Sequence, residues 1–344
     1  MKSLGSILIA CSLLGCSSGN KIPLVVYSPH GKEMLAEFEK QYESLHPEQD
    51  VQWLDMGSQD AYDRVRTERE NPQADLWWGA PMTTFAKAED EGLLEPYIPS
   101  WDSAVAPEFK SLHGYWYGTF ITPEVIMYNN RLLNEADVPK DWDELLDPKW
   151  KDKIIIRYPL ASGTMRIIFS ALIQRQIELG RDAEAGFQWL QRLDANTKTY
   201  AADPTQLYFK IAREEGALTL WNLPDVVIQV QTNAYPFSYV IPQSGTPLIT
   251  DCIAVVKGTK HPAESKQFYE FVTSKESMVQ QARQFSRIPT RKDIPASQLP
   301  SWIPALHLKP LNVNWMNLAA HEKEWMKQWD ERVKGSGKNL AINP

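Results

Sequence analysis

Four short turns carry the residues of this chain best suited to chemistry. Ser162-Gly163-Thr164 follows the apolar run Lys153-Ile154-Ile155-Ile156-Arg157 and precedes a helical stretch, Met165 to Leu179, that stops at Gly180. Such a turn offers a ligand two hydroxyls, the free backbone N–H groups of a helix start and the positive end of its dipole. All three favour an anion, and glycine lets the ligand come close to the backbone. Arg166, one turn further on, is in reach to add a charge-assisted hydrogen bond. Capping is the plainer use of Ser162 or Thr164 taken alone. Ser28 with His30, Gly57-Ser58, and Trp78-Gly79-Ala80 share the placement, and convergence of these turns on one cleft would make a binding site of them.

Signatures of catalysis are missing from the sequence. It contains no phosphate-binding P-loop, H-E-x-x-H or C-x-x-C, and Gly335-Ser336-Gly337-Lys338 lacks the strand and spacing of a P-loop. The six histidines are scattered; only His30 is placed at a site, and a solvent-exposed loop histidine describes it equally well. Acidic pairs such as Asp137 and Asp143 read as solvated loop charges. The expectation is a binding protein with no catalytic residues, no cofactor and no resident metal.

The elements that would position these turns alternate strand, turn and helix. Leu24 to Tyr27, Val51 to Leu54 and Ala74 to Trp78 read as strands. The helices after them run from Lys32 to Leu45 (apolar Met34, Leu35, Phe38 and Tyr42), from Gln59 to about Glu70, and from Gly79 through Asp90. A second unit begins after Tyr115 to Glu124: strand Lys153–Arg157, helices Met165–Leu179, Ala183–Leu193 and Thr205–Glu215, and strand Ala217–Trp221. Tyr239 to Pro242, Gly245-Thr246-Pro247 and strand Cys252–Val256 then lead back to the first unit. The expected fold class is α/β: two doubly wound lobes joined by a two-strand hinge, with ligands bound outside the carboxyl ends of the strands. The domain reading is 22–121 plus 250–288 for lobe 1 and 122–249 plus 289–344 for lobe 2. In the Pro-punctuated tail, Trp315, Leu318, Ala319, Glu322, Trp325, Met326 and Trp329 recur at helical spacing and read as a core stripe packing on lobe 2.

Composition sets the compartment. Met1-Lys2, the small and apolar run Leu4 to Leu14, and Gly15-Cys16-Ser17-Ser18 fit a lipoprotein signal peptide (1–15), an acylated Cys16 and a polar tether (16–21); an ordinary secretory signal is the alternative. Net charge is −7, or −8 once the single lysine of residues 1–15 is removed, which argues against a nucleic-acid partner. With Cys11 and Cys16 accounted for, only Cys252 remains, so stability must come from packing rather than a disulfide.

A resemblance covers nearly the whole mature chain. Val26-Tyr27-Ser28-Pro29-His30-Gly31-Lys32-Glu33, Gly57-Ser58, Asn71 to Gly79, and Gly92 to Tyr97 resemble the first lobe of ABC-transporter solute-binding proteins. More narrowly they are similar to the branch of ferric-ion, 2-aminoethylphosphonate and hexose-phosphate binders. Tyr128-Asn129, Asp147-Pro148-Lys149-Trp150, Ala161 to Thr164, Ser244 to Pro247, Ile253 to Gly258 and Arg287 to Arg291 match the remainder. The resemblance implies a type II periplasmic-binding fold that closes over a small solute and delivers it to an ABC permease in the inner membrane. The lipid would keep the binder near that permease, and the chain is read as a monomer. The favoured solute is a small organic anion, phosphorylated or phosphonate. Its anionic group would sit on Ser162, Gly163 and Thr164 near Arg166, Trp78 and Trp221 would wall the organic part, and Asp225 would accept from an amine or hydroxyl. The alternative is ferric iron. Ferric binders of the family use a tandem tyrosine pair, yet the corresponding stretch here is Thr219 to Asp225, and His30 lies one position off the family's metal-ligand histidine. Tyr208, Tyr235 or Tyr239 would have to substitute.

Overall fold

Two sheets sharing a long strand organise the chain, and hydrophobic patterning explains why. The structure, a computed structural model, describes residues 21–337; the expected signal peptide and the acylation expected at Cys16 fall in residues 1–20, which with residues 338–344 lie outside the described residues. In chain order the first lobe begins with β1 (Ile22–Ser28), α1 (Lys32–Leu45), β2 (Gln49–Asp55), α2 (Ser58–Thr67), β3 (Leu76–Pro81), α3 (Met82–Asp90) and β4 (Leu94–Glu95). The strand β5 (Tyr117–Asn129) leads to the second lobe: β6 (Ile154–Arg157), α4 (Gly163–Glu178), α5 (Ala183–Asn196), β7 (Thr197–Ala201), α6 (Pro204–Ala212), β8 (Leu218–Asn222), α7 (Leu223–Asn233) and β9 (Phe237–Val240). The chain returns through β10 (Leu248–Val256), α8 (Pro262–Val272), α9 (Lys275–Phe285) and β11 (Ile288–Pro289), and ends in α10 (Trp315–Arg332).

Consecutive residues of the first sheet serve opposite faces. Val26, Trp78, Ile253 and Val255 join Phe38, Phe268 and Tyr269 in one core, while their neighbours Tyr27, Trp77, Cys252 and Ala254 join Tyr62, Phe85 and Trp116 in another. That two-sided burial requires near-continuous apolar strands between helical layers. Cys252 is a buried free thiol. β1 runs parallel to β2 and β3, and β6 parallel to β7 and β8, as the alternating pattern requires.

The hinge is made of β5 and β10. Tyr117 to Pro123 of β5 pair antiparallel with β10, and Glu124 to Tyr128 pair antiparallel with β8 in the second sheet. Pro123, which cannot donate to a ladder, stands where the partner changes. The expected α/β class of two lobes joined by two crossing strands is the class observed.

Some elements differ from the sequence reading. β9 stays in the second sheet against β5, and β10 alone makes the return crossing. β7 and α7 were not anticipated: β7 lies at the sheet edge and opens with three consecutive polar residues, Thr197-Lys198-Thr199, and α7 starts at an Asn222 cap with Pro224 in its first turn. In the tail, the Lys292 N–H bonds the Ala104 carbonyl. On α10 the stripe is core in part: Leu318, Trp325, Met326 and Trp329 are buried and Trp329 packs edge-on against Phe169 of α4 at 5.5 Å, whereas Trp315 and Glu322 are half-buried and Ala319 is exposed. No helix among the described residues is long and apolar enough to cross a membrane.

Candidate functional site

Three helix N-termini face one cavity between the lobes. It measures about 470 Å³, and its walls include Ser58 at the start of α2, Thr83 in the first turn of α3, and Ser162, Gly163 and Arg166 at the start of α4. Each helix start leaves N–H groups without intrahelical partners and a positive dipole end. A Cβ added at Gly163 would meet nothing within 4 Å, so the backbone there is open to a ligand. A second cavity of about 400 Å³ adjoins it between α2, α3 and α10, with Arg66, Lys87, Arg166 and Lys323 among its lining residues.

Of the residues singled out from sequence, Ser58, Ser162, Gly163 and Arg166 line this cavity. Ser162 caps α4, its Oγ accepting from the Met165 N–H at 3.3 Å. Thr164 is half-buried in the same helical turn. Arg166 is not free: its Nε donates to Glu322 of α10 at 2.6 Å.

The rest lie deeper. Ser28 is fully buried and its Oγ accepts from the His30 N–H at 3.3 Å. His30 is buried rather than loop-exposed, packed edge-on against Trp78 at 5.2 Å and against Phe120 at 4.8 Å, and its Nε2 has no partner. Burial, and secondarily the Arg287 guanidinium, holds the ring well below the usual histidine range, so it is neutral. Gly79 has φ +102°, and a Cβ there would lie 2.4 Å from the His30 ring. Trp78 is wholly inside the lobe-1 core with Phe38 and Trp53, so it walls that core and not the cavity. Trp221 and Asp225 hold each other: Asp225 Oδ2 accepts from Tyr208 Oη at 2.9 Å, Trp221 Nε1 at 3.1 Å and Asn222 Nδ2 at 2.9 Å. Asp225 is therefore an internal acceptor, and the indole is 3% exposed.

Sequence reasoning missed a buried polar row on the hinge strand. On β5, Phe120, Thr122 and Glu124 alternate onto one face. Thr122 Oγ1 donates to Asp251 of β10 at 3.1 Å, and Arg287 stacks over Phe120 at 5.0 Å. Burial pushes Asp251 up to about 6, against the pull of Arg287 and the Thr122 hydrogen bond. Glu124 is fully buried, and both its carboxylate oxygens lack partners. Burial first, then Asp225 and Asp251, drive its carboxyl well above the ordinary range. The available signal was a lone acid after Pro123 in an otherwise apolar strand. Among the described residues no group of three or more His, Cys, Asp or Glu is arranged to hold a metal ion, and the Tyr208 hydroxyl is engaged by Asp225.

Comparison with known proteins agrees with this architecture. The sequence profile of the bacterial extracellular solute-binding proteins matches residues 33–307. The "Probable ABC transporter periplasmic-binding protein y4fP" of Sinorhizobium fredii is 27% identical over 323 residues, covering 90% of this chain and 86% of its own length. A Salmonella typhimurium periplasmic protein named for binding 2-aminoethylphosphonate is 26% identical over 254 residues, 72% of this chain and 71% of that one. The crystal structure of iron-bound HitA from Pseudomonas aeruginosa superposes with a TM-score of 0.75 at 21% identity, covering 89% of this chain and 99% of that one. These relatives are transport proteins and not enzymes. The chain thus belongs to the bacterial extracellular solute-binding proteins, and it works outside the cytoplasm as the substrate-binding component of an ABC transporter.

Proposed function

We propose that the interlobe cleft captures a small organic anion, a phosphonate or phosphate ester, and that closure of the lobes over it presents it to the permease. The observation that carries this reading is the meeting of three helix starts, those of α2, α3 and α4, on one cavity. An anion there receives backbone N–H groups and aligned dipoles from both lobes at once, so binding favours the closed arrangement over the open one. Since Glu322 occupies Arg166, the anion relies on N–H groups and on the hydroxyls of Ser58, Ser162 and Thr164. The phosphonate-binding name of the Salmonella relative supports the same class. In this reading an acylated Cys16 tethers the chain, as a monomer, to the membrane.

Native mass spectrometry of the chain from Ser17 onward, purified without refolding, tests the proposal. Denaturation then releases and weighs the co-purified solute. A small organic phosphate or phosphonate is the expected result; an iron-sized mass with a phenolate-to-iron absorption band would overturn it.

A further inference from the structure

Two acids line the cavity where the helix starts meet, Asp60 and Glu322, and an anion site has little use for either. Asp60 is exposed in the first turn of α2, and a Cβ on Gly57 would come within 3.0 Å of its Oδ2. It therefore serves its own helix start, where a negative charge offsets the dipole. Glu322 has no such local use. It shares the face of α10 that carries Leu318 one turn before it and Trp325 and Met326 one turn after, all buried, so spacing alone would put an apolar side chain there. Instead an acid stands half-buried where α10, packed on α4, also reaches α3 of the first lobe.

The surroundings of Glu322 engage one of its oxygens and leave the other. Oε1 accepts from Arg166 Nε at 2.6 Å, and among the described residues Oε2 has no hydrogen-bond partner. Glu322 and Arg166 line both interlobe cavities, so the pair stands where the two join. The other charged groups around it are Asp63 and Arg66 of α2, Lys87 of α3 and Lys323 of α10. Arg66 is drawn to Glu91, and Lys87 lies over the Tyr62 ring at 4.6 Å. These cations attract an anion into the cleft from a distance. At close range an ion-paired carboxylate only accepts, so a solute oxygen that meets Oε2 must bring a hydrogen.

We infer that Glu322 is a specificity-determining residue that reads a proton on the solute's oxyanion: it accepts from the P–OH of a singly ionised phosphate or phosphonate and repels a group whose oxygens are all bare. This rests on the interlobe cleft being an anion site and deepens that reading, because it divides oxyanions of one shape by protonation. The starts of α2, α3 and α4 donate to the bare oxygens, Glu322 accepts from the protonated one, and Arg166 holds the carboxylate in place. A sulfate ester has the same shape and no hydrogen, so it is refused by charge repulsion and by an acceptor left unmet. A fully ionised phosphate is refused in the same way.

Titration calorimetry with ethyl phosphate and ethyl sulfate, at about pH 5 and about pH 8, tests the assignment on native protein and on Glu322→Gln. A phosphate monoester loses its second proton at about pH 6, so ethyl phosphate carries P–OH at the lower pH and is bare at the higher, while ethyl sulfate is bare at both. Native protein is expected to prefer ethyl phosphate about tenfold or more at the lower pH, and to lose about tenfold or more of that affinity at the higher. Glu322→Gln, whose amide can donate to a bare oxygen, is expected to bind ethyl sulfate about tenfold or more tightly than native protein does, and ethyl phosphate within about threefold at the two pH values. The hinge acids Asp251 and Glu124 are the same in both proteins, so the difference between their pH profiles belongs to Glu322. The ion pair is partly exposed and its loss leaves the fold standing. Equal binding of the probes by native protein at the lower pH, undiminished ethyl phosphate affinity at the higher, or a preference retained in Glu322→Gln would overturn the inference and leave the anion reading in place. Loss of both probes in Glu322→Gln alone would do the same, making Glu322 a structural strut. Failure of native protein to bind either probe would refute both readings.

Discussion

Replacing Gly79 with alanine should damage the first lobe through two separable effects. The backbone at Gly79 has φ +102°, a region that costs a residue with a Cβ about 1–2 kcal/mol. The added methyl would also lie 2.4 Å from Cε1 and Nε2 of His30 and 2.7 Å from Cδ of Pro29. His30 cannot retreat, because Trp78 and Phe120 pack its other sides. Overpacking of this kind costs about 1–3 kcal/mol. The sum is about 2–5 kcal/mol, less the roughly 0.4–1 kcal/mol by which alanine stiffens the unfolded chain. Equilibrium urea unfolding followed by tryptophan fluorescence reads it directly, since Trp77 and Trp78 adjoin the position. In a His30→Ala background the clash with the ring vanishes while the Pro29 contact and the backbone strain remain, so the double-mutant cycle should return a coupling of up to about 3 kcal/mol. A cost below about 1 kcal/mol for Gly79→Ala, or a coupling near zero, would refute the argument that His30 fixes this glycine.

Two further outcomes follow from the described geometry. Ser162→Ala removes the α4 cap and should cost about 1 kcal/mol of stability by thermal melting; a variant as stable as native would mean that water replaces the cap in full. Folded protein keeps a proton on Asp251 that the unfolded chain has already lost, because burial lifts its pKa from 3.8 to about 6. Asp251 should therefore contribute a fall in stability as pH rises from about 4 to about 6, a loss on the order of 3 kcal/mol, while His30, held neutral by burial, contributes with the opposite sign over the same interval. Glu124 acts with the same sign as Asp251. Urea midpoints across that interval should flatten in Asp251→Asn, and an unchanged slope would exclude Asp251 as the cause.

The layer order was legible because each layer has its own period. Trp77 and Trp78 sit on opposite faces of β3, and the stripe through Leu318, Trp325 and Trp329 fixed one face of α10 before any contact was known. The turns at Ser58 and Ser162 could be placed at strand ends for the same reason. Partnerships were not legible, since they join distant segments. Arg166 looks free in sequence, yet Glu322 lies 156 residues away along the chain. Asp225 looks available, yet Tyr208 and Trp221 reach it through the fold of α6 and β8. Trp78 has the character of a platform, but sheet pleating turns it into the core. Glu124 gives a local signal only as an odd acid in an apolar strand, and its lack of a partner is a property of the assembled hinge. β7 escaped notice because Thr197 to Ala201 mixes polar and buried positions at a sheet edge.

The chain passes between the lobes three times, by β5, by β10 and by the stretch beyond Lys292. Three is odd, so the first and last described residues ride on different bodies: Lys21 leads into β1 of one, while the N–H of Gly337 is anchored to Asp194 on α5 of the other. Had the chain crossed only twice, both ends would travel together and their separation would be blind to closure. With this parity the end-to-end distance is itself a gauge of the cleft. Tension applied across the ends would act across the hinge strands rather than within either lobe.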